Sequence, residues 1–122
     1  MNRLTLVTAL AACLAGLVLA ASAVGASSAN RLVGSTGPDA AFRITLKQGA
    51  KKVTKLKHGK YTIVIKDVAT THDFHLTGPG VNKKTPVKGK GTFTWHLTLK
   101  KGTYRYVCDP HKTLMHGSFK VT

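Results

Sequence analysis

Apolar and polar residues alternate with a period of two along several stretches of this 122-residue chain. Alternation of this kind is typical of β-strands that bury one face. Glycines that can form turns, such as Gly59, Gly102 and Gly117, lie between the stretches. Several short strands in one small chain predict an all-β fold, a Greek-key antiparallel β-sandwich. The alternating stretches are 42–46, 61–65, 93–99, 104–108 and 119–121.

The first 26 residues follow a different pattern. Arg3 gives a short positive start, and Leu4 to Leu19 form an almost unbroken apolar run. Small-residue cleavage patterns then end at Ala23 and at Ala26. This order predicts a secretory signal peptide over residues 1–26, and therefore an exported protein that is periplasmic or extracellular.

Two alternatives stay open for this N-terminal segment. Its apolar stretch is long enough to span a bilayer if it is left uncleaved as an anchor. Leu10 to Cys13 also resembles a bacterial lipoprotein cleavage box. Residues 27–38, which are small, polar and glycine-bearing, are interpreted as a flexible lead-in, and residues 39–122 as one folded domain.

The chain is strongly basic, with 19 Lys and Arg against four acidic residues and a net charge of +15. Such a charge bears on partners rather than on fold. It favours acidic protein surfaces and anionic membrane or cell-wall surfaces. No motif interleaves the lysines with aromatic residues as nucleic-acid modules do, so no nucleic-acid partner is expected.

One loop near the C-terminus carries the informative chemistry. Cys108 is the only cysteine after the first 26 residues, so it has no partner for an internal disulfide in an oxidising compartment. Pro110 interrupts the strand, and His111 and Met115 follow before alternation resumes at Phe119. Thiolate, imidazole and thioether together suit copper, whereas zinc has little use for a thioether. A trigonal copper site needs a second histidine from elsewhere in the chain.

The ten residues Gly-Thr-Tyr-Arg-Tyr-Val-Cys-Asp-Pro-His at 102–111, followed by a methionine and a glycine, resemble the type 1 copper loop of plastocyanins, pseudoazurins and amicyanins. The likeness to these cupredoxins extends from Asp39 to Thr122. It implies a cupredoxin-like copper-binding domain with one type 1 copper ion. It also implies an electron-transfer protein rather than an enzyme. The metal ligands that the resemblance implies are His72, Cys108, His111 and Met115.

The upstream histidine has a rival. In the resembling family this histidine is usually followed by asparagine, and His72 fits because Asp73 stands in the asparagine position. His75 is the alternative, although in a strand it would point to the opposite face from His72. A carboxylate accepts hydrogen bonds but does not donate them as an amide does, so Asp73 departs from the family pattern.

Two function classes follow from these residues. The first is a one-electron carrier between redox partners. The resemblance implies that electrons leave through His111, and the basic surface favours a redox protein with an acidic surface, such as a cytochrome or oxidase. The alternative is a copper-holding or copper-delivery protein without a redox duty. Six histidines in one domain cannot supply the further copper sites of a multicopper enzyme. The protein is also expected to be a monomer.

Overall fold

The computed structural model describes residues 28–38 and 41–122, so the predicted signal peptide lies outside the described residues. Within them the chain forms ten β-strands, with 3-10 turns at Ser28–Asn30 and Asp109–His111. The strands are β1 Arg31–Thr36, β2 Ile44–Gln48, β3 Lys51–Lys52, β4 Lys55–Leu56, β5 Gly59–Asp67, β6 His75–Gly78, β7 Val81–Lys84, β8 Gly91–Leu99, β9 Gly102–Val107 and β10 His116–Val121.

The strands form two five-stranded sheets. The first sheet has the order β3-β2-β1-β5-β8, and the second has the order β4-β10-β9-β6-β7. Most neighbours are antiparallel, but β1 pairs with β5 and β4 pairs with β10 in parallel. The predicted β-sandwich is confirmed, and the two parallel pairs are features that the sequence pattern did not indicate.

The core lies between the sheets and follows the alternation. Ile63 and Ile65 of β5 are fully buried, and the rings of β9 fill the space opposite them. Tyr106 stacks on Phe74 with ring centroids 5.5 Å apart, and Tyr104 stacks on a phenylalanine of β10 at 5.2 Å. Burial of one such ring contributes on the order of 2–3 kcal/mol, so these stacks anchor β9 and the loop that follows it.

The interpretation of residues 27–38 as a flexible lead-in is corrected by β1. This strand lies inside the first sheet between β2 and β5, and Leu32 is fully buried. Its small residues are a packing requirement, because a Cβ on Gly34 would stand 2.5 Å from Cδ1 of Ile65 and 2.9 Å from the Phe74 ring. Low hydrophobicity in β1 therefore reflects close approach of the two sheets rather than mobility.

Gly78 gives a prediction about this packing. A Cβ at Gly78 would overlap the Tyr104 ring, whose hydroxyl is fixed by the backbone of Pro79 and Lys100 at 3.0–3.1 Å. We expect Gly78→Ala to lower the free energy of unfolding by about 3 kcal/mol in urea titrations, as overpacking does. Gly89→Ala is the control, because its neighbour Pro86 is on an exposed loop that can shift. Equal stability of the two variants would contradict this packing.

Candidate metal centre

Three of the predicted ligand side chains converge at one end of the sandwich. The Nδ1 atoms of His72 and His111 are 3.1 Å apart. The Sγ atom of Cys108 lies 3.6 Å from Nδ1 of His72 and 3.5 Å from Nδ1 of His111. His72 and Cys108 are buried and His111 is half-buried, so the cluster lies just beneath the surface.

The loop between β9 and β10 carries Cys108, His111 and Met115, as the sequence indicated. Its backbone is closed by hydrogen bonds: the Cys108 N–H donates to the Met115 carbonyl at 2.9 Å, and the His111 N–H to the Cys108 carbonyl at 3.0 Å. The Met115 N–H donates to the His111 carbonyl at 2.9 Å, and the Met115 side chain is fully buried. The loop therefore holds all three residues in fixed relative positions.

His72 comes from the segment between β5 and β6, before the strand that carries His75. Phe74, two residues after His72, is held by two hydrogen bonds, because its N–H donates to Thr85 Oγ1 at 2.9 Å and its carbonyl accepts from the Thr85 N–H at 3.1 Å. The end of β1 packs on the ring: a Cβ at Gly37 would stand 2.5 Å from Cδ2 of His72. These contacts leave the imidazole little freedom.

Asp73 connects the two ligand segments. Its Oδ1 atom accepts a hydrogen bond from the Asp109 N–H at 2.6 Å, next to Cys108 in the chain. The carboxyl is fully buried, and within the described residues its Oδ2 atom has no hydrogen-bond partner. Burial raises the pKa of Asp73. Asp73, which stands in the asparagine position of the resembling family, thus joins the segment of His72 to the loop of Cys108.

The donor set fits copper. Nitrogen and sulfur donors at the distances known for zinc, about 2.0–2.1 and 2.3 Å, stand about 3.1–3.7 Å apart at near-tetrahedral angles, which is the spacing expected around a single metal ion. The three separations in the cluster match this spacing. The buried Met115 thioether in the same loop as the Cys108 thiol favours copper over zinc. Burial, and then the neighbouring His111, lower the pKa of His72, which favours the neutral ring that binds metals. Burial raises the pKa of the Cys108 thiol, so metal binding there would release a proton.

His75, the alternative upstream ligand, points to other partners. Its Nδ1 lies 2.9 Å from Asp109 Oδ2, and its Nε2 lies 2.7 Å from Asn82 Oδ1. Both ring nitrogens are thus engaged outside the cluster of His72, Cys108 and His111. His75 therefore links the β6–β7 hairpin to the first residues of the metal loop.

The His75–Asp109 pair makes stability depend on pH. Burial acts to lower the pKa of His75, but the hydrogen bonds with Asp109 and Asn82 outweigh it and raise the pKa above its ordinary value. Lys84 Nζ, 3.9 Å from the Asp109 carboxylate, and also Lys112 and Asp73 are the other charged groups beside the pair. The stability that the pair contributes to the fold is therefore fully present below the pKa of a histidine in the unfolded chain. It is lost as pH rises through the higher pKa of His75 in the folded protein.

We expect His75→Gln to lose on the order of 1 kcal/mol more stability at pH 6 than at pH 9, measured by urea unfolding of the metal-free protein. His96→Gln is the matched control, because His96 is exposed and its Nδ1 contacts only the Thr62 hydroxyl, at 3.2 Å. A pH-independent loss for His75→Gln would contradict the ion pair.

Two exposed apolar residues lie beside His111 and were not assigned to the site from the sequence. The Phe42 ring packs edge-on against His111 at 4.8 Å and His72 at 5.7 Å, yet 56% of the residue is exposed. Leu114, in the metal loop, is 66% exposed. Phe42 was expected to continue the alternation of β2 into the core. Because β2 begins only at Ile44, Phe42 lies outside the strand, and its ring packs over the imidazoles instead.

Residues 39–122 match the family described as copper binding proteins, plastocyanin/azurin family. The chain belongs to this family of cupredoxins, and copper is its cofactor. Among solved structures, reduced rusticyanin is similar over 75% of this chain and 78% of its own, with 16% identity and a TM-score of 0.59. Auracyanin A, a "blue" copper protein from Chloroflexus aurantiacus, is similar over 75% of this chain and 98% of its own, with 17% identity and a TM-score of 0.53.

At these identities the two structures support the fold alone, and the predicted cupredoxin-like fold is confirmed. No curated protein matches the sequence. In the part of the chain that the structure describes, no helix has both the length and the apolar character needed to cross a bilayer.

Proposed function

We propose that this protein is an exported type 1 copper protein that carries one electron at a time, with copper held by His72, Cys108, His111 and Met115. The observation that supports this most is the convergence of two imidazoles and one thiol within 3.1–3.6 Å. The buried Met115 next to them adds the thioether that a type 1 site uses as its weak ligand. Copper bound there would supply one-electron redox chemistry.

The protein holds the ligand side chains in fixed positions and shields them from water. Cys108 and Met115 are fully buried and His72 is 3% exposed, so water has little access to these donors. The Cys108–Met115 backbone bond closes the metal loop, and the Asp73–Asp109 bond fixes the segment of His72 relative to that loop. Rigid ligands need little rearrangement when the charge of the site changes, which favours fast electron exchange.

His111 is the proposed route for electrons. It is the most accessible of the three converging residues, and exposed Phe42 and Leu114 provide apolar surface on this end of the molecule. Arg43 and Lys112 are exposed next to these residues in the chain. A redox partner with an apolar contact patch and acidic residues around it would fit this surface.

The test is to add copper(II) to the segment Ser28–Thr122 and to record visible, EPR and voltammetric data. We expect an intense visible band, a type 1 EPR signal and a reversible one-electron wave. The zinc-loaded protein is the control and should show no wave. A colourless copper(I) protein without a reversible wave would favour the alternative, a copper-holding or copper-delivery protein.

Export is the second part of the proposal and is supported by the apolar run over Leu4–Leu19. N-terminal sequencing of the protein purified from its own cells tests it. A mature chain that begins after Ala23 or Ala26 is expected for a cleaved signal peptide. A full-length chain in the soluble cytoplasmic fraction would contradict export.

A further inference from the structure

Charge is distributed unevenly between the two ends of the sandwich. β1 and β5 run parallel toward the end that carries His72, Cys108 and His111, which we call the copper end. The opposite end, the basic pole, contains the start of β1, the β2–β3 turn, β4 and the β8–β9 turn. Its exposed basic side chains are Arg31, Lys47, Lys51, Lys52, Lys55, Lys57, Lys60, Lys100, Lys101 and Lys120.

Acidic side chains do not offset this charge. The three acids among the described residues, Asp67, Asp73 and Asp109, all lie at the copper end. Among the residues that the structure describes, ion pairs form only at Asp109, with His75 and Lys84. The basic pole therefore presents ten cations that no acidic side chain neutralises within residues 28–38 and 41–122.

The chain also enters the domain at the basic pole. The Ser28–Asn30 turn leads directly into Arg31, the first residue of β1. In the uncleaved precursor the apolar run over Leu4–Leu19 therefore precedes the domain at the same end as the lysines. The mature chain that cleavage would leave lacks this run, so there the ten uncompensated cations point to one surface, a bilayer with anionic headgroups. Each lysine near such a surface strengthens binding by about fivefold.

We propose that the basic pole docks on an anionic lipid bilayer and holds the copper end away from it. The nine residues of β5 link the two ends and place them about 30 Å apart. This is several times the Debye length of about 8 Å at physiological ionic strength, so charges at the copper end add little to binding. His111 stays open to a partner while the domain is on the membrane. This inference does not depend on copper or on redox activity.

The experiment compares two variants with the same net charge. In the first, Lys51, Lys52, Lys55 and Lys57 at the basic pole are replaced by glutamine. In the second, the replaced residues are Lys66, Lys83, Lys88 and Lys90 in the half of the domain toward the copper end, all exposed and outside the metal loop. Both are made in the segment Ser28–Thr122, which contains both sheets and the whole buried core, and cooperative thermal unfolding verifies that each folds.

Binding is measured by co-sedimentation with vesicles of 30% phosphatidylglycerol in phosphatidylcholine, and with pure phosphatidylcholine. We expect wild type to bind the anionic vesicles, and the pole variant, which lacks four lysines worth about fivefold each, to bind them roughly 600-fold more weakly. The copper-end variant should change by less than about threefold. Equal losses in both variants would overturn the orientation. The proposal that the partner is an anionic lipid bilayer would be overturned if wild type showed no preference for anionic vesicles. It would also be overturned if wild type bound soluble polyphosphate but not vesicles.

Discussion

Replacing Cys108 by alanine is expected to abolish the intense visible band of the copper-loaded protein and to weaken copper(II) binding by at least about 100-fold. The band requires a thiolate bound to copper, and Cys108 is the only cysteine among the described residues. Its Sγ is 3.5–3.6 Å from the Nδ1 atoms of both imidazoles, and the described residues contain no other thiol that could replace it. Visible spectroscopy and a competitive copper titration measure the two effects.

Cys108→Ser is the companion variant, because it keeps a side chain of similar size and an oxygen donor. The backbone bond from residue 108 to the Met115 carbonyl does not involve the side chain, so both variants should fold. Serine should restore part of the copper affinity and none of the band. An unchanged band in Cys108→Ala would mean that copper is bound elsewhere.

Replacing His72 is expected to remove the type 1 spectrum, whereas replacing His75 is expected to preserve it. His72 Nδ1 faces His111 Nδ1 and Cys108 Sγ within 3.6 Å. Both nitrogens of His75 are instead bound by Asp109 and Asn82. EPR of His72→Gly should show a copper site without the small hyperfine coupling of type 1 copper, with a loss in copper affinity of at least about 100-fold.

The matched variant His75→Gly should keep the spectrum and lose stability instead. Added imidazole gives a further check, because it can enter the space left at position 72 and restore the spectrum. The reverse outcome, with the spectrum lost at position 75 and kept at position 72, would exchange the roles of the two histidines.

The metal loop could be predicted from the sequence because its ligands are close together in the chain. Cys108, His111 and Met115 fall within eight residues between two alternating stretches, so local geometry alone brings them together. The choice of His72 over His75 needed the resemblance to the family. Spacing alone did not decide between the two histidines. His72 lies in a segment outside the strands, where alternation does not indicate which way a side chain points.

Other features depend on contacts between distant segments and were missed. β1 carries few large apolar residues, and its place inside the first sheet follows from the space under Ile65 and Phe74 that only Gly34 fits. Phe42 continues an apolar alternation in the sequence but lies over the histidines in the structure. The basic pole combines lysines from positions 47 to 120, and only the strand register brings them together.

X-ray absorption spectroscopy at the copper edge tests the central claim most directly. On the copper-loaded segment Ser28–Thr122, the account predicts a first shell of two imidazole nitrogens and one short thiolate sulfur, with the Met115 sulfur as a longer, weaker neighbour. The sulfur contribution should disappear in Cys108→Ala. A first shell of nitrogen and oxygen alone in the wild-type protein would contradict the convergence of His72, Cys108 and His111 on one ion.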